Sequence, residues 1–77
     1  MKNDNRMKIG KRIKEVFDSM PKQCTVSWFA RELHCDRRNI YRIFERENID
    51  IQLLGRISQI LNHDFFKDLS KEYTEPR

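Results

Sequence analysis

Apolar residues recur at intervals of three and four along most of this chain, which is the spacing of one face of an α-helix. The first such set is Ile9, Ile13, Val16, Phe17 and Met20. Pro21 follows directly, and a proline disfavours helical backbone at the residue before it. The pattern therefore predicts an amphipathic first helix that ends near Met20.

The same spacing predicts four further helices, each preceded by a residue whose side chain can accept hydrogen bonds from the first backbone amides. These capping residues are Thr25, Asp36, Asp50 and Asp64. The helices are predicted over about residues 26–33, 37–46, 51–62 and 65–70. The chain has only two glycines and two prolines, which argues against strands and hairpins. We expect a compact all-α domain of four to five helices.

A chain of 77 residues can bury one core but leaves no room for a second domain. We expect a flexible N-terminal arm over residues 1–7, one helical domain over residues 8–70, and a polar C-terminal tail over residues 71–77. Phe65, Phe66 and Tyr73 either complete the core or form a seam between two copies of the chain. The sequence leaves both open, so a homodimer stays among the expected partners.

The charge balance favours a polyanionic partner without naming one. Sixteen Lys and Arg residues stand against twelve Asp and Glu residues, for a net charge of +4. No apolar run reaches the roughly 20 residues that span a bilayer, and the N-terminus lacks the apolar segment of a secretion signal. We therefore expect a cytoplasmic protein with no membrane partner, in which Cys24 and Cys35 are reduced thiols.

Four arginines lie in the helix predicted over residues 37–46. At 100° per residue, Ile40, Ile43 and Phe44 fall on one side, which must face the core. The opposite side carries Arg38, Arg42 and Glu45, flanked by Arg37, Tyr41 and Arg46. An arginine fork matches both a phosphate and the O6/N7 edge of guanine. The face is typical either of a surface that reads duplex DNA or of a solvated surface with intrahelical ion pairs.

The connection between the second and third predicted helices favours the first interpretation. Only His34 and Cys35 lie between the second helix and the capping residue Asp36. Such a tight connection forces the two helices to cross at a steep angle, as in a helix-turn-helix.

Residues 25–43, together with the leucine-rich stretch 51–61, resemble the lambda-repressor-like, or XRE-type, helix-turn-helix DNA-binding domains. The positions that carry the resemblance are Thr25, Phe29, Ala30, His34, Cys35, Asp36 and Ile40. The resemblance covers about residues 9–66. It implies a sequence-specific transcription regulator that binds double-stranded DNA and inserts the helix over residues 37–46 into the major groove.

The resemblance also assigns roles to individual residues. Base contacts are expected from Arg37, Arg38, Tyr41 and Arg42. Contacts to the DNA backbone are expected from Lys22, Gln23, Ser27, Trp28, Asn39, Arg46 and Asn48. Two positions depart from the family pattern. Val26 replaces a glutamine that grips a phosphate, and His34 replaces the turn glycine, so His34 is expected to adopt a positive φ.

Metal binding and catalysis are not expected. Cys24, His34, Cys35 and His63 lack the paired spacings of zinc sites. The adjacent side chains of His34 and Cys35 diverge, which makes a nucleophile and base pair improbable. We expect no cofactor and no enzymatic activity. The alternative function is a protein-interaction module on the same fold, such as an antitoxin or adaptor, with no base readout.

Overall fold

Five α-helices form the folded part of the chain. The computed structural model describes residues 8–74, with side chains through residue 71. The helices are α1 (Ile9–Asp18), α2 (Val26–Leu33), α3 (Arg37–Phe44), α4 (Ile51–Leu61) and α5 (Phe65–Thr74). No strand occurs among the described residues, which confirms the all-α prediction. The predicted arm over residues 1–7, residues 75–77 of the predicted tail and the side chain of Tyr73 lie outside the described part.

Three helix ends differ from the sequence prediction. α1 ends at Asp18 instead of near Met20, because the N–H groups of Ser19 and Met20 each donate to the carbonyl three residues earlier, at 3.0 Å. α3 ends at Phe44 instead of Arg46, because the N–H groups of Glu45 and Arg46 each donate to the carbonyl three residues earlier, at 3.1 Å. Such bonds tighten the last turn and close the helix. α5 continues through Thr74, into the segment predicted as a polar tail, because lysine and glutamate there are good helix formers.

Three of the four predicted capping residues act as caps. The side chains of Thr25, Asp36 and Asp64 each accept a hydrogen bond from the backbone N–H three residues later, at 3.0–3.1 Å. The prediction for Asp50 is wrong, since its exposed carboxylate accepts no such bond. Its backbone carbonyl accepts the first intrahelical bond, from Leu54 at 3.0 Å. α4 therefore begins without a side-chain cap.

One hydrophobic core joins all five helices. α1 packs against α3, α2 packs against α3 and α4, and α4 packs against α5. Among the described residues, the buried apolar side chains are Ile9, Ile13, Val16, Phe29, Ala30, Leu33, Ile40, Ile43, Phe44, Leu54, Ile57, Leu61 and Phe65. The rings of Phe17, Phe29 and Phe44 lie 5.4–6.4 Å apart, centroid to centroid, and join α1, α2 and α3. This separation is typical of interacting aromatic rings.

The two phenylalanines at the start of α5 have different environments. Phe65 is fully buried in the core, whereas 39% of Phe66 is exposed. Phe65 is therefore a core residue, and only Phe66 presents apolar surface to a second molecule.

A left-handed residue connects α2 to α3. His34 has φ 61° and ψ 45°, which confirms the positive φ expected where the turn lacks glycine. The N–H of Cys35 donates to the carbonyl of Ala30 at 2.9 Å, and Nη2 of Arg56 donates to the carbonyl of Leu33 at 3.1 Å. These bonds satisfy carbonyls at the end of α2 that have no partner within the helix.

The first turn of α1 touches the end of α3 through backbone atoms. The N–H of Gly10 donates to the carbonyl of Arg46 at 2.9 Å. A Cβ at position 10 would lie 2.6–2.7 Å from the carbonyl oxygens of Arg46 and Phe44, and closer still to that of Ile43. Glycine is therefore required at position 10 by the close approach of two backbones.

Replacing each helical glycine by alanine is expected to have opposite effects on stability. Gly10→Ala should lower the free energy of unfolding by about 1 to 3 kcal/mol, because the methyl group is overpacked against carbonyl oxygens. Gly55→Ala should raise it by up to about 1 kcal/mol, because nothing lies within 4 Å of the added Cβ in α4 and alanine has the higher helix propensity. Urea unfolding followed by circular dichroism measures both, and a Gly10→Ala variant that is as stable as the unmodified protein, or more stable, would contradict the packing at Gly10.

Candidate functional site

The orientation of α3 is set by its apolar side. Ile40 is fully buried, and Ile43 and Phe44 are buried beside it. Since these three residues face the core, the opposite side of the helix faces solvent. Arg38 and Arg42 lie at the centre of that outer side, one helical turn apart.

The four residues predicted to contact bases are all exposed. They are Arg37, Arg38, Tyr41 and Arg42. Tyr41 is 55% exposed, and its ring packs edge-on against Phe44 with centroids 6.3 Å apart. Part of the Tyr41 ring is therefore packed against the protein, and the remainder is accessible to solvent. The structure therefore brings the predicted residues together on one helix surface, which we call the arginine face.

The arginines of this face have no carboxylate partner in the part of the chain that the structure describes. Among residues 8–71, neither Arg37, Arg38 nor Arg42 forms an ion pair, and Glu45 forms none either. The intrahelical pairs with Glu45, which the sequence also allowed, are not formed. The guanidinium groups are therefore free to bind an external anion or hydrogen-bond acceptor.

The cations of α1 are arranged differently. Lys8 lies 3.9 Å from a carboxylate oxygen of Glu47, and Lys14 lies 2.8 Å from one of Asp18. Arg12 forms two ion pairs, at 3.0 and 3.1 Å. Three of the four cations at α1 are therefore paired within the protein, whereas Lys11, which is exposed, forms no ion pair among the described residues, like the arginines of α3.

The predicted backbone-contacting residues fall in three segments of the chain. Lys22 and Gln23 are exposed in the turn before α2, which is closed by a 2.9 Å hydrogen bond from Cys24 N–H to the carbonyl of Pro21. At the start of α2, Ser27 is exposed and Trp28 is half-buried, with its ring 6.3 Å from that of Phe29. The third group consists of Asn39, Arg46 and Asn48, all exposed.

Arg46 differs from the other arginines because part of its guanidinium is already bound. Its Nε donates to the backbone carbonyl of Asn48 at 3.0 Å. The residue lies after the end of α3 and orders the connection to α4. Its remaining guanidinium nitrogens make no hydrogen bond or ion pair with the described residues.

Sequence reasoning did not consider the exposed arginine of α2. Arg31 lies in the last turn of α2, is exposed and forms no ion pair within the described residues. Its position opposite the buried Phe29 and Leu33 on the helical wheel of α2 was the available signal.

A second polar cluster, away from the arginine face, also escaped sequence reasoning. The same Asp68 oxygen, Oδ2, lies 3.0 Å from Nε of Arg12 and 2.7 Å from Nε2 of His63. Burial alone would raise the pKa of Asp68, but the hydrogen bonds from His63 and Arg12 outweigh it and lower this pKa. The same hydrogen bond to Asp68 raises the pKa of Arg12. The cluster ties α5 to α1.

Acidification is expected to weaken the hydrogen bonds and ion pairs that Asp68 forms between α5 and α1. Because the pKa of Asp68 is lowered in the folded state, its charge stabilises the fold above the ordinary aspartate pKa, and this contribution is lost as the pH falls below about 4. Asp68→Asn should therefore lower the free energy of unfolding at neutral pH, and its difference from the unmodified protein should shrink by pH 2.

Urea unfolding at pH 7 and pH 2 measures this effect. Asp18→Asn is the matched control, because the Lys14–Asp18 pair is exposed and exposed ion pairs contribute little. A stability difference for Asp68→Asn that is the same at both pH values would contradict the assigned role of Asp68.

The cysteine and histidine residues do not assemble into a metal site in the described part of the chain. No three His, Cys, Asp or Glu side chains are grouped there as metal ligands. Cys24 and Cys35 are free thiols. Burial raises the pKa of the Cys35 thiol, and the negative charge of Asp36 raises it further. The positive charge of Arg56 acts in the opposite direction but does not outweigh them. Cys35 thus packs as a half-buried apolar group in the turn.

A small cavity of about 250 Å³ lies beside α3. It is lined by Leu33, Cys35, Asn39, Ile43, Arg46 and Leu53. This volume is below the roughly 300 Å³ at which cofactor and ligand pockets begin.

Comparisons with known proteins identify no relative. No family model, curated protein or solved structure matches the chain. None of the helices in residues 8–74 is long and apolar enough to cross a membrane.

Proposed function

We propose that this chain is a sequence-specific double-stranded DNA-binding domain of a cytoplasmic transcription regulator, in which α2 and α3 act as a helix-turn-helix. The observation that carries the proposal is the arginine face. Three exposed guanidinium groups lie on one short helix and have no carboxylate partner among the described residues. A solvated structural surface has no need of such an arrangement, whereas DNA supplies acceptors for each group.

The dimensions of α3 fit the DNA major groove. Like any α-helix with its side chains, it is about 10–12 Å in diameter. The major groove of B-DNA is about 12 Å wide and admits one α-helix. Because α3 is anchored by Ile40, Ile43 and Phe44, the opposite face enters the groove without rearrangement of the core.

The proposal keeps the roles that the resemblance implies for individual residues. In the proposed complex, bases are contacted by Arg37, Arg38, Tyr41 and Arg42. The DNA backbone is contacted by Lys22, Gln23, Ser27, Trp28, Asn39, Arg46 and Asn48, with Arg31 as an addition. Backbone contacts set the position of the protein on the duplex, and base contacts supply sequence preference.

Removing a central arginine should weaken binding to the preferred sequence more than to random duplex. Selection from random duplexes first identifies that sequence, and fluorescence anisotropy then measures affinity. Arg38→Ala is expected to cost about 1 to 3 kcal/mol on the selected site. Lys67→Ala is the matched control, because it removes one exposed positive charge from α5, which lies outside the proposed interface. Its effect should be small on both duplexes.

Two results would contradict the proposed function. Selection that yields no recurring motif would favour the protein-interaction alternative, because an adaptor has no base readout. Binding that does not weaken as the salt concentration rises would exclude phosphate contacts as its source, since phosphate contacts release counterions. A two-fold symmetric selected site would indicate that the chain binds as a homodimer.

A further inference from the structure

We infer that Arg38 and Arg42 each recognise a guanine, at two base pairs that lie two steps apart in the duplex. The inference rests on the proposed function. That proposal does not say which bases are contacted, and the inference assigns guanine to two of them.

The chemistry of the guanidinium group selects guanine among the four bases. Guanine presents two acceptors, O6 and N7, side by side in the major groove, and arginine presents two parallel N–H donors. Adenine places an amino donor beside its N7, cytosine presents an amino donor, and thymine combines one acceptor with a methyl group. An arginine with both donors free therefore forms the most favourable hydrogen bonds with guanine.

Arg38 and Arg42 have the freedom that this contact requires. Both are exposed, and neither forms an ion pair or a side-chain hydrogen bond within the described residues. By contrast, Arg12, Arg46 and Arg56 each donate to acceptors of the protein itself. The two central arginines of α3 therefore need break no existing contact to bind a base edge.

The spacing of the two residues matches the spacing of base pairs. Four residues of α-helix rise about 6 Å and turn about 400°, so Arg38 and Arg42 lie on one stripe separated by about 6 Å. Two base-pair steps rise about 6.8 Å, at 3.4 Å per step along one strand. Arg37 lies about 100° around the helix from Arg38 and does not share this stripe.

The test uses duplexes in which single guanines lose only their N7 acceptor. Selection with the unmodified protein should enrich guanine at two positions two base pairs apart. Each guanine is then replaced in turn by 7-deazaguanine, which keeps Watson–Crick pairing and the O6 acceptor. Each replacement should weaken binding by the unmodified protein about 5-fold or more, as loss of part of a bidentate contact does.

Two variants connect each guanine to its arginine. Arg38→Ala should become insensitive to 7-deazaguanine at one position only, and Arg42→Ala should become insensitive at the other only. Arg38→Lys keeps the charge but not the planar fork, so it should retain affinity for random duplex and weaken the preference for guanine at the position assigned to Arg38. Circular dichroism of each variant verifies that the fold is retained.

The outcomes separate this inference from the function on which it rests. Sequence-selective binding to sites without the two guanines would overturn the inference and leave the proposed function standing. Variants that stay sensitive to 7-deazaguanine at both positions would also overturn it. Absence of binding to every duplex would overturn the proposed function, and the inference with it.

Discussion

A contact between two stretches of backbone holds the arginine-bearing helix in place. The amide of Gly10, in the first turn of α1, binds the carbonyl of Arg46 just after α3 ends. No side chain fits between them, so the distance between α1 and the end of α3 is set by backbone atoms. At its other end α3 is held by the left-handed turn at His34 and by the cap from Asp36. Both ends of the helix are therefore fixed without any contribution from its outer face.

The outer face of α3 is therefore not needed to hold the helix in place. In many surface helices the charged residues stabilise the helix through pairs with neighbours three or four positions away. Here the caps, the turn and the buried residues Ile40, Ile43 and Phe44 supply the anchoring. Within residues 8–71, the side chains of Arg38 and Arg42 make no hydrogen bond or ion pair that a ligand would have to replace, so binding at this face costs little reorganisation of these residues.

Ion pairing differs between the cations of α1 and those of α2 and α3. Three cations at α1 are paired with Glu47, Glu15, Asp68 and Asp18, whereas the exposed Lys11 forms no ion pair among the described residues. In the described residues, the arginines of α2 and α3 also lack carboxylate partners, so four unpaired guanidinium groups lie on these two short helices. A polyanion is attracted to such unpaired cations, and the attraction falls as salt screens it.

Much of the architecture follows from interactions between residues close in sequence. The spacing of apolar residues determined the number, order and inward faces of the helices, and Thr25, Asp36 and Asp64 mark three of their beginnings. These features depend on contacts within three or four positions, which a sequence displays directly. The positive φ at His34 was predicted from the resemblance, because His34 stands where the family has a turn glycine.

Contacts between distant parts of the chain were decided by the tertiary structure. The need for glycine at position 10, the Arg12–Asp68 pair across 56 positions and the bond from Arg56 to Leu33 across 23 positions have no local signature. The freedom of Arg38 and Arg42 belongs to the same class, because Glu45 lies within helical reach of Arg42 in the sequence. By itself, the sequence determined which side of α3 carries the arginines. Only the tertiary structure decided that they are unpaired, because pairing depends on how every neighbouring side chain is placed.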